Sequence, residues 1–198
     1  MTQTPLLLAS SSPYRRELLE RLGLPFTTAS PDIDETPQPD ESAEALALRL
    51  AGSKAQALAT QYPGHWIIGS DQVACLPDGT LLHKPGNHEQ AVHQLQQSSG
   101  HAVLFLTGLT LLDADSGRAQ HHCEPFSVRF RDLETREIEA YLRREQPYDC
   151  AGSFKMEGLG ITLFSGLEGR DPNSLVGLPL IALTDMLRHW GRNPLLAP

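Results

Sequence analysis

Three cysteines in 198 residues, Cys75, Cys123 and Cys150, are too few and too scattered for a disulfide framework. No CxxC pair offers zinc spacing either, and an odd, unpatterned set fits reduced, partly buried thiols in a cytosolic protein. Basic excess is also missing: 16 Lys+Arg against 24 Asp+Glu leave a formal charge of −8. Coating long nucleic acid calls for a basic face, so that class is excluded, while a local basic pocket for one small anion stays open. No apolar run approaches the length of a membrane span, and no charged-then-apolar leader opens the chain. The expectation is a soluble cytoplasmic protein that engages neither a membrane nor a nucleic acid polymer. Repeats, low-complexity tracts, a clear linker and a GxxxxGK[ST] phosphate loop are absent as well. With 40% apolar and 20% charged residues, the chain has ample material for one domain, residues 1–198, possessing a normal core.

The richest stretch is Ala9-Ser10-Ser11-Ser12-Pro13-Tyr14-Arg15-Arg16, which follows the apolar run Leu6–Leu8. Ser12 is placed to cap a helix whose first turn takes Pro13. Arg15 and Arg16 then sit where the helix dipole and free N–H groups already carry positive charge. Serine hydroxyls, backbone N–H groups and two guanidinium groups at one helix start fit a polyphosphate, against the plainer reading of two solvated arginines.

Periodicity predicts strands at 6–9 and 26–29, a first helix to about Leu22 ending at Gly23, and a long helix over about 42–61. Between them, residues 30–41 form an acidic, proline-rich loop. An apolar run from Trp66 to Leu76 turns at Pro77-Asp78-Gly79-Thr80 into a hairpin strand over Leu81–Lys84. Helices are expected at about 87–98, 134–145 and 179–190, and strands at 102–112 and 119–131. A glycine-rich stretch fills 150–169. Hairpins mixed with helices point to a mixed sheet rather than a doubly wound parallel one.

Several charges break local rules. Lys54 is in step with Leu46, Leu50 and Leu58, so its ammonium lies on the stripe facing the core unless it snorkels. Asp71 interrupts a strand apolar on both sides, where burial demands a metal or cation. Gly69 shares its face and removes a side chain, leaving room for a ligand. Asp34 and Glu35 offer either a solvated loop or metal ligands. Pro85 holds Lys84 extended, and in Gly152-Ser153-Phe154-Lys155-Met156-Glu157-Gly158 the glycines let backbone approach a flat ligand. His121-His122-Cys123 alternates across a strand and does not offer one shared metal site.

Taken in order, LLLASSSPYRRELLERLG, DIDET, LRLAGSKA, IIGSDQV, HKP, CAGSFKMEG and VGLPL resemble the Maf-like nucleoside triphosphate pyrophosphatases over about Leu6 to Leu195. Within that family the resemblance leans to the branch acting on 7-methyl-GTP. It implies an α/β fold with a mixed, strongly bent sheet flanked by helices, two lobes around a central cleft as in inosine triphosphatases, and a homodimer. The implied reaction cleaves the α–β phosphate bond with Mg²⁺ or Mn²⁺, giving 7-methyl-GMP and pyrophosphate. The resemblance assigns phosphate binding to Ser10, Arg15, Lys54 and Lys84, proton acceptance to Asp71, and metal binding to Glu35 and Asp71. Base selection falls on Tyr14, Gln72 and Glu157. Tyr14 stands where that branch often has tryptophan, and Gly52-Ser53 replaces the glutamate that usually precedes the lysine. A pyrophosphatase for ordinary pyrimidine triphosphates (dTTP, UTP) and a non-catalytic nucleotide-binding regulator of cell division are the alternatives.

Overall fold

The computed structural model describes residues 4–196, so the ends of the expected 1–198 domain lie outside the described residues. Its elements run β1 (Leu6–Ala9), α1 (Pro13–Glu20), β2 (Phe26–Ala29), α2 (Ala43–Ala59), β3 (Trp66–Cys75), β4 (Leu81–Leu82) and α3 (His88–Ser98). They continue through β5 (Ala102–Asp113), β6 (Ala119–Phe130), α4 (Thr135–Glu145), β7 (Phe164–Gly169) and α5 (Leu180–His189), with short 3-10 turns between. The sheet order is β2-β1-β3-β5-β6-β7, with β4 pairing β3. β1 is parallel to β2 and β3, whereas β4 and β7 pair antiparallel, which makes the sheet mixed as expected. No helix among the described residues is long and apolar enough to cross a membrane.

The chain divides into two compact units. The first comprises Met1–Asp71, Thr107–Glu124 and Asp171–Pro198. Here β1 is buried on both faces: Leu6 and Leu8 pack with α1, α5 and Ile68, while Leu7 and Ala9 pack with Ala55 and Leu58 of α2. Full burial of each such leucine stabilises by about 1.5–3 kcal/mol. α2 lies unusually close to the strands. A Cβ at Gly69 would overlap the Ala51 carbonyl oxygen, and one at Gly108 the Ala47 carbonyl oxygen. The space beside Gly69 is therefore filled by helix backbone, not left for a ligand as the sequence suggested. Small residues Ala47, Ala51 and Ala55, each fully buried at spacing four, let the helix seat that low.

The second unit, Gln72–Leu106 and Pro125–Arg170, is built round an edge-to-face cluster of Phe105, Phe130, Phe154 and Phe164. Gly152, at φ +74°, lies where a Cβ would come 3.1 Å from the Phe105 ring, and a Cβ at Gly158 would overlap the Glu145 carboxylate. Both glycines accommodate the protein's own side chains, which corrects the reading of them as a ligand surface. The hairpin strand stops at Leu82, two residues short of Lys84. β7 escaped the pattern because most of its residues are exposed and glycines interrupt it.

Candidate active site

Seating α2 on Gly69 and Gly108 decides where its one buried charge goes. Lys54 is 7% exposed and Asp71, on β3, is 8% exposed. Their side chains meet at 2.5 Å from Nζ to Oδ1. A second carboxylate, Glu35, reaches the same ammonium at 2.7 Å from the loop before α2. Removing an ammonium from water costs several kcal/mol, which one partner barely offsets; two carboxylates on one cation do so more securely. Snorkelling is not what happens: the Lys54 head ends in an ion-pair bridge. Asp71 Oδ2 makes no hydrogen bond among the described residues.

The acidic loop is held to α2 rather than left in solvent. Arg49 donates to Glu41 at 2.6 and 2.8 Å and to the Thr36 carbonyl at 3.1 Å, while Asp34 accepts from the Thr36 N–H at 2.9 Å. The Arg49 bonds, with the Gln38 N–H second, hold the Glu41 carboxyl down at about 2. Nothing in the loop's composition revealed Arg49 as its anchor, although an arginine eight residues from a glutamate was the available signal.

At the start of α1, Ser12 caps the helix by accepting from the Arg15 N–H at 3.4 Å, with Pro13 in the first turn. Ser10 is buried and accepts from the Ser12 N–H at 3.1 Å, and its own hydroxyl proton finds no acceptor among the described residues. Arg15 donates from Nε to the Gly177 carbonyl at 2.8 Å, and its two Nη groups make no hydrogen bond among the described residues. Burial lowers the Arg15 pKa, and the charges of Asp71 and then Glu35 oppose that shift. Arg16 instead pairs with Glu20 at 3.1 Å on the exposed face, where an ion pair contributes little. Tyr14 is the partly buried residue before Arg15.

Ser10, Arg15, Glu35, Lys54 and Asp71 thus belong to the first unit, with Glu35, Lys54 and Asp71 in direct contact. Gln72, Lys84 and Glu157 belong to the second. Gln72 is partly buried on β3, while Lys84 and Glu157 are exposed loop residues with no hydrogen bond or ion pair among the described residues. Gly177 and Ser70, which touches it, were passed over as mere letters of VGLPL and IIGSDQV. His121 and His122 take separate partners, Thr110 and Glu124.

A carboxylate pair gathered on one cation, with the Arg15 guanidinium near enough for their charges to act on it, can take a divalent ion, accept a proton and leave a fork for an oxyanion. The crystal structure of a nucleoside-triphosphatase, described as a dITP/XTP pyrophosphatase, from Mycobacterium abscessus is 16% identical across 98% of this chain and 100% of its own, with a TM-score of 0.43. The Maf-like protein family matches residues 5–190, nearly the whole chain. On that match the chain belongs to the Maf-like family of nucleoside triphosphate pyrophosphatases, hydrolases acting on phosphoanhydride bonds.

Proposed function

We propose that this protein hydrolyses 7-methyl-GTP to 7-methyl-GMP and pyrophosphate, in the cytoplasm and as a homodimer. The observation that carries the reading of the chemistry is the Lys54 ammonium shared by Glu35 and Asp71, with the Arg15 charge close by. Cleaving a phosphoanhydride is mainly a matter of positioning and of neutralising charge on phosphate oxygens. Arg15 offers two Nη groups and Ser10 a hydroxyl proton that have no partner among the described residues, Lys54 offers an ammonium, and the family resemblance adds Lys84 to the phosphate set. Water adds across the α–β anhydride. Its proton passes to Asp71, whose Oδ2 is not engaged by Lys54, and pyrophosphate leaves with the electron pair of the broken P–O bond.

Maf-like pyrophosphatases typically use a divalent metal, and the carboxylates fit one. Mg²⁺ and Mn²⁺ take oxygen ligands, and Mg²⁺ typically needs only one or two carboxylates when substrate phosphates complete its shell. Glu35 and Asp71, converging on one ammonium, are the residues that would hold it. Bound there, the metal would neutralise developing phosphate charge.

Base choice follows from charge. 7-Methylguanine is cationic at neutral pH, so a ring such as Tyr14 stacked on it gains about 0.5–2 kcal/mol of cation–π attraction. Glu157 accepts from the ring N–H and exocyclic amine of guanine and repels the acceptor edge of uracil or thymine; Gln72 completes the base-selecting set. The test is pyrophosphate release from a nucleotide panel with Mg²⁺. Fastest release from 7-methyl-GTP supports the reading. Preference for UTP or dTTP replaces the substrate, and no release from any nucleotide favours a binding protein instead.

A further inference from the structure

We infer that Ser70 is a positioning residue for the phosphate grip, acting on Arg15 through the Gly177 carbonyl. The inference rests on the reading of Arg15 as a phosphate ligand. Ser70 and Asp71 are neighbours on β3 and point to opposite faces. Asp71 goes to α2, and Ser70, 1% exposed, goes the other way. Its hydroxyl lies 2.8 Å from the Gly108 carbonyl and 2.9 Å from the Gly177 carbonyl, and Arg15 Nε donates to that same Gly177 oxygen at 2.8 Å.

Gly177 is irreplaceable for two reasons. Its φ of +108° is left-handed backbone, and a Cβ there would come 2.9 Å from Arg15 Nε. It ends the 3-10 turn Pro172–Val176, which is pinned from several sides. The buried Asp171 carboxylate accepts from the Asn173 N–H at 2.9 Å and the Ile181 N–H at 2.8 Å, and Thr107 donates to the Ser174 carbonyl at 2.9 Å. The carbonyl that holds Arg15 is therefore a fixed point. A guanidinium is planar, so tying Nε to a fixed acceptor sets the plane in which both Nη groups present themselves. The rotamer entropy that a flexible arginine loses on gripping a bidentate oxyanion is then lost on folding instead. Ser70, whose one hydroxyl proton is shared between the Gly108 and Gly177 carbonyls, helps Arg15 keep the Gly177 oxygen aimed, and packing alone would be served by alanine.

The test titrates inorganic pyrophosphate into the full chain by calorimetry, with melting followed in parallel. Arg15→Lys, which lacks the Nε and the fork, is expected to weaken binding by tenfold or more, about the value of a charge-assisted hydrogen bond. Ser70→Ala should weaken it by about fivefold, part of one such bond. In the Arg15→Lys background Ser70→Ala should change nothing further, because its route to the ligand is gone. Thr110→Val breaks another buried hydroxyl contact, that with His121, away from the Gly177 turn, and should lower the melting point as Ser70→Ala does yet keep the affinity. Ser70→Cys, of similar volume and weaker as a donor, repeats the experiment at smaller amplitude if Ser70→Ala does not fold. Unchanged binding in Arg15→Lys overturns the Arg15 reading and this inference with it. The expected loss in Arg15→Lys with an additive Ser70→Ala, or a Thr110→Val that loses equal affinity, overturns the inference alone.

Discussion

The charged residues of the two units live under different physical terms. Lys54 and Asp71 are buried in the first unit and meet through an ion pair that a third group, Glu35, completes. Lys84 and Glu157, in the second, are exposed and make no hydrogen bond or ion pair among the described residues. A buried charge is tolerated only with its partners, so folding and chemistry depend on one arrangement there. An exposed charge costs the fold nothing and can be exchanged as a substrate preference demands. Altering Lys54 or Asp71 should therefore cost stability and turnover, whereas altering Lys84 or Glu157 should change only what is bound.

The largest effect is expected at Asp71. Asp71→Asn keeps the shape and a hydrogen bond to Lys54 but removes the proposed proton acceptor, so kcat should fall by about 10²–10⁴-fold. Steady-state pyrophosphate release at saturating nucleotide measures it, and near-normal turnover would remove Asp71 as the base. Lys54→Met comes next. It leaves Asp71 buried and Glu35 beside it without their shared cation, and the low end of the range for a broken buried pair, about 3 kcal/mol, is expected in urea unfolding because Glu35 is half exposed. A melt equal to that of the unaltered protein would show that the bridge carries no stability and would dissolve the contrast between the units.

Glu157→Gln sharpens the comparison from the other side. Its unfolding midpoint should stay within about 0.5 kcal/mol of the parent, as at most exposed positions. The kcat/KM ratio for 7-methyl-GTP over UTP should drop by about 10–100-fold, the worth of a charged hydrogen bond. An unchanged ratio takes Glu157 out of base selection.

The same contrast explains what could be read from residues alone. Lys54 and Asp71 were conspicuous because each violates an apolar pattern, and a violation inside a core demands a partner. The strands β1 and β2 and the helices were plain from their periodicity. Lys84 and Glu157 drew notice only through their proline and glycine neighbours and took a role from resemblance, which alone singled out Gln72. Gly69, Gly152 and Gly158 were misread for a physical reason: a missing side chain shows that something comes close, but not whether it is a ligand or the protein itself. Gly177 stayed silent because its work is done by a carbonyl oxygen, which every residue has, and Ser70 because a small hydroxyl inside a strand breaks no pattern.

The smallest effect concerns how firmly the loop presents Glu35 to Lys54. Arg49 holds that loop through Glu41 and the Thr36 carbonyl, and the Glu41 pKa sits near 2 against an ordinary 4.5. Because the folded-state value is the lower one, this contribution to stability is fully present above about pH 4.5 and fades as pH falls towards about 2. In Arg49→Gln the Glu41 titration, followed by carboxyl carbon shifts in NMR, should move up towards 4.5, stopping short because the Gln38 N–H bond at 3.0 Å remains. The part of the stability slope that Glu41 contributes between those pH values should then shrink, while that of Asp34, Asp78, Asp113 and Glu137 remains. If Glu35 keeps its place by its own ion pair, turnover at neutral pH falls by no more than about twofold, since the pair itself is untouched. A fall of tenfold or more would instead make Arg49 the true anchor, and would extend the interdependence of fold and proposed chemistry from the buried pair out to the exposed loop.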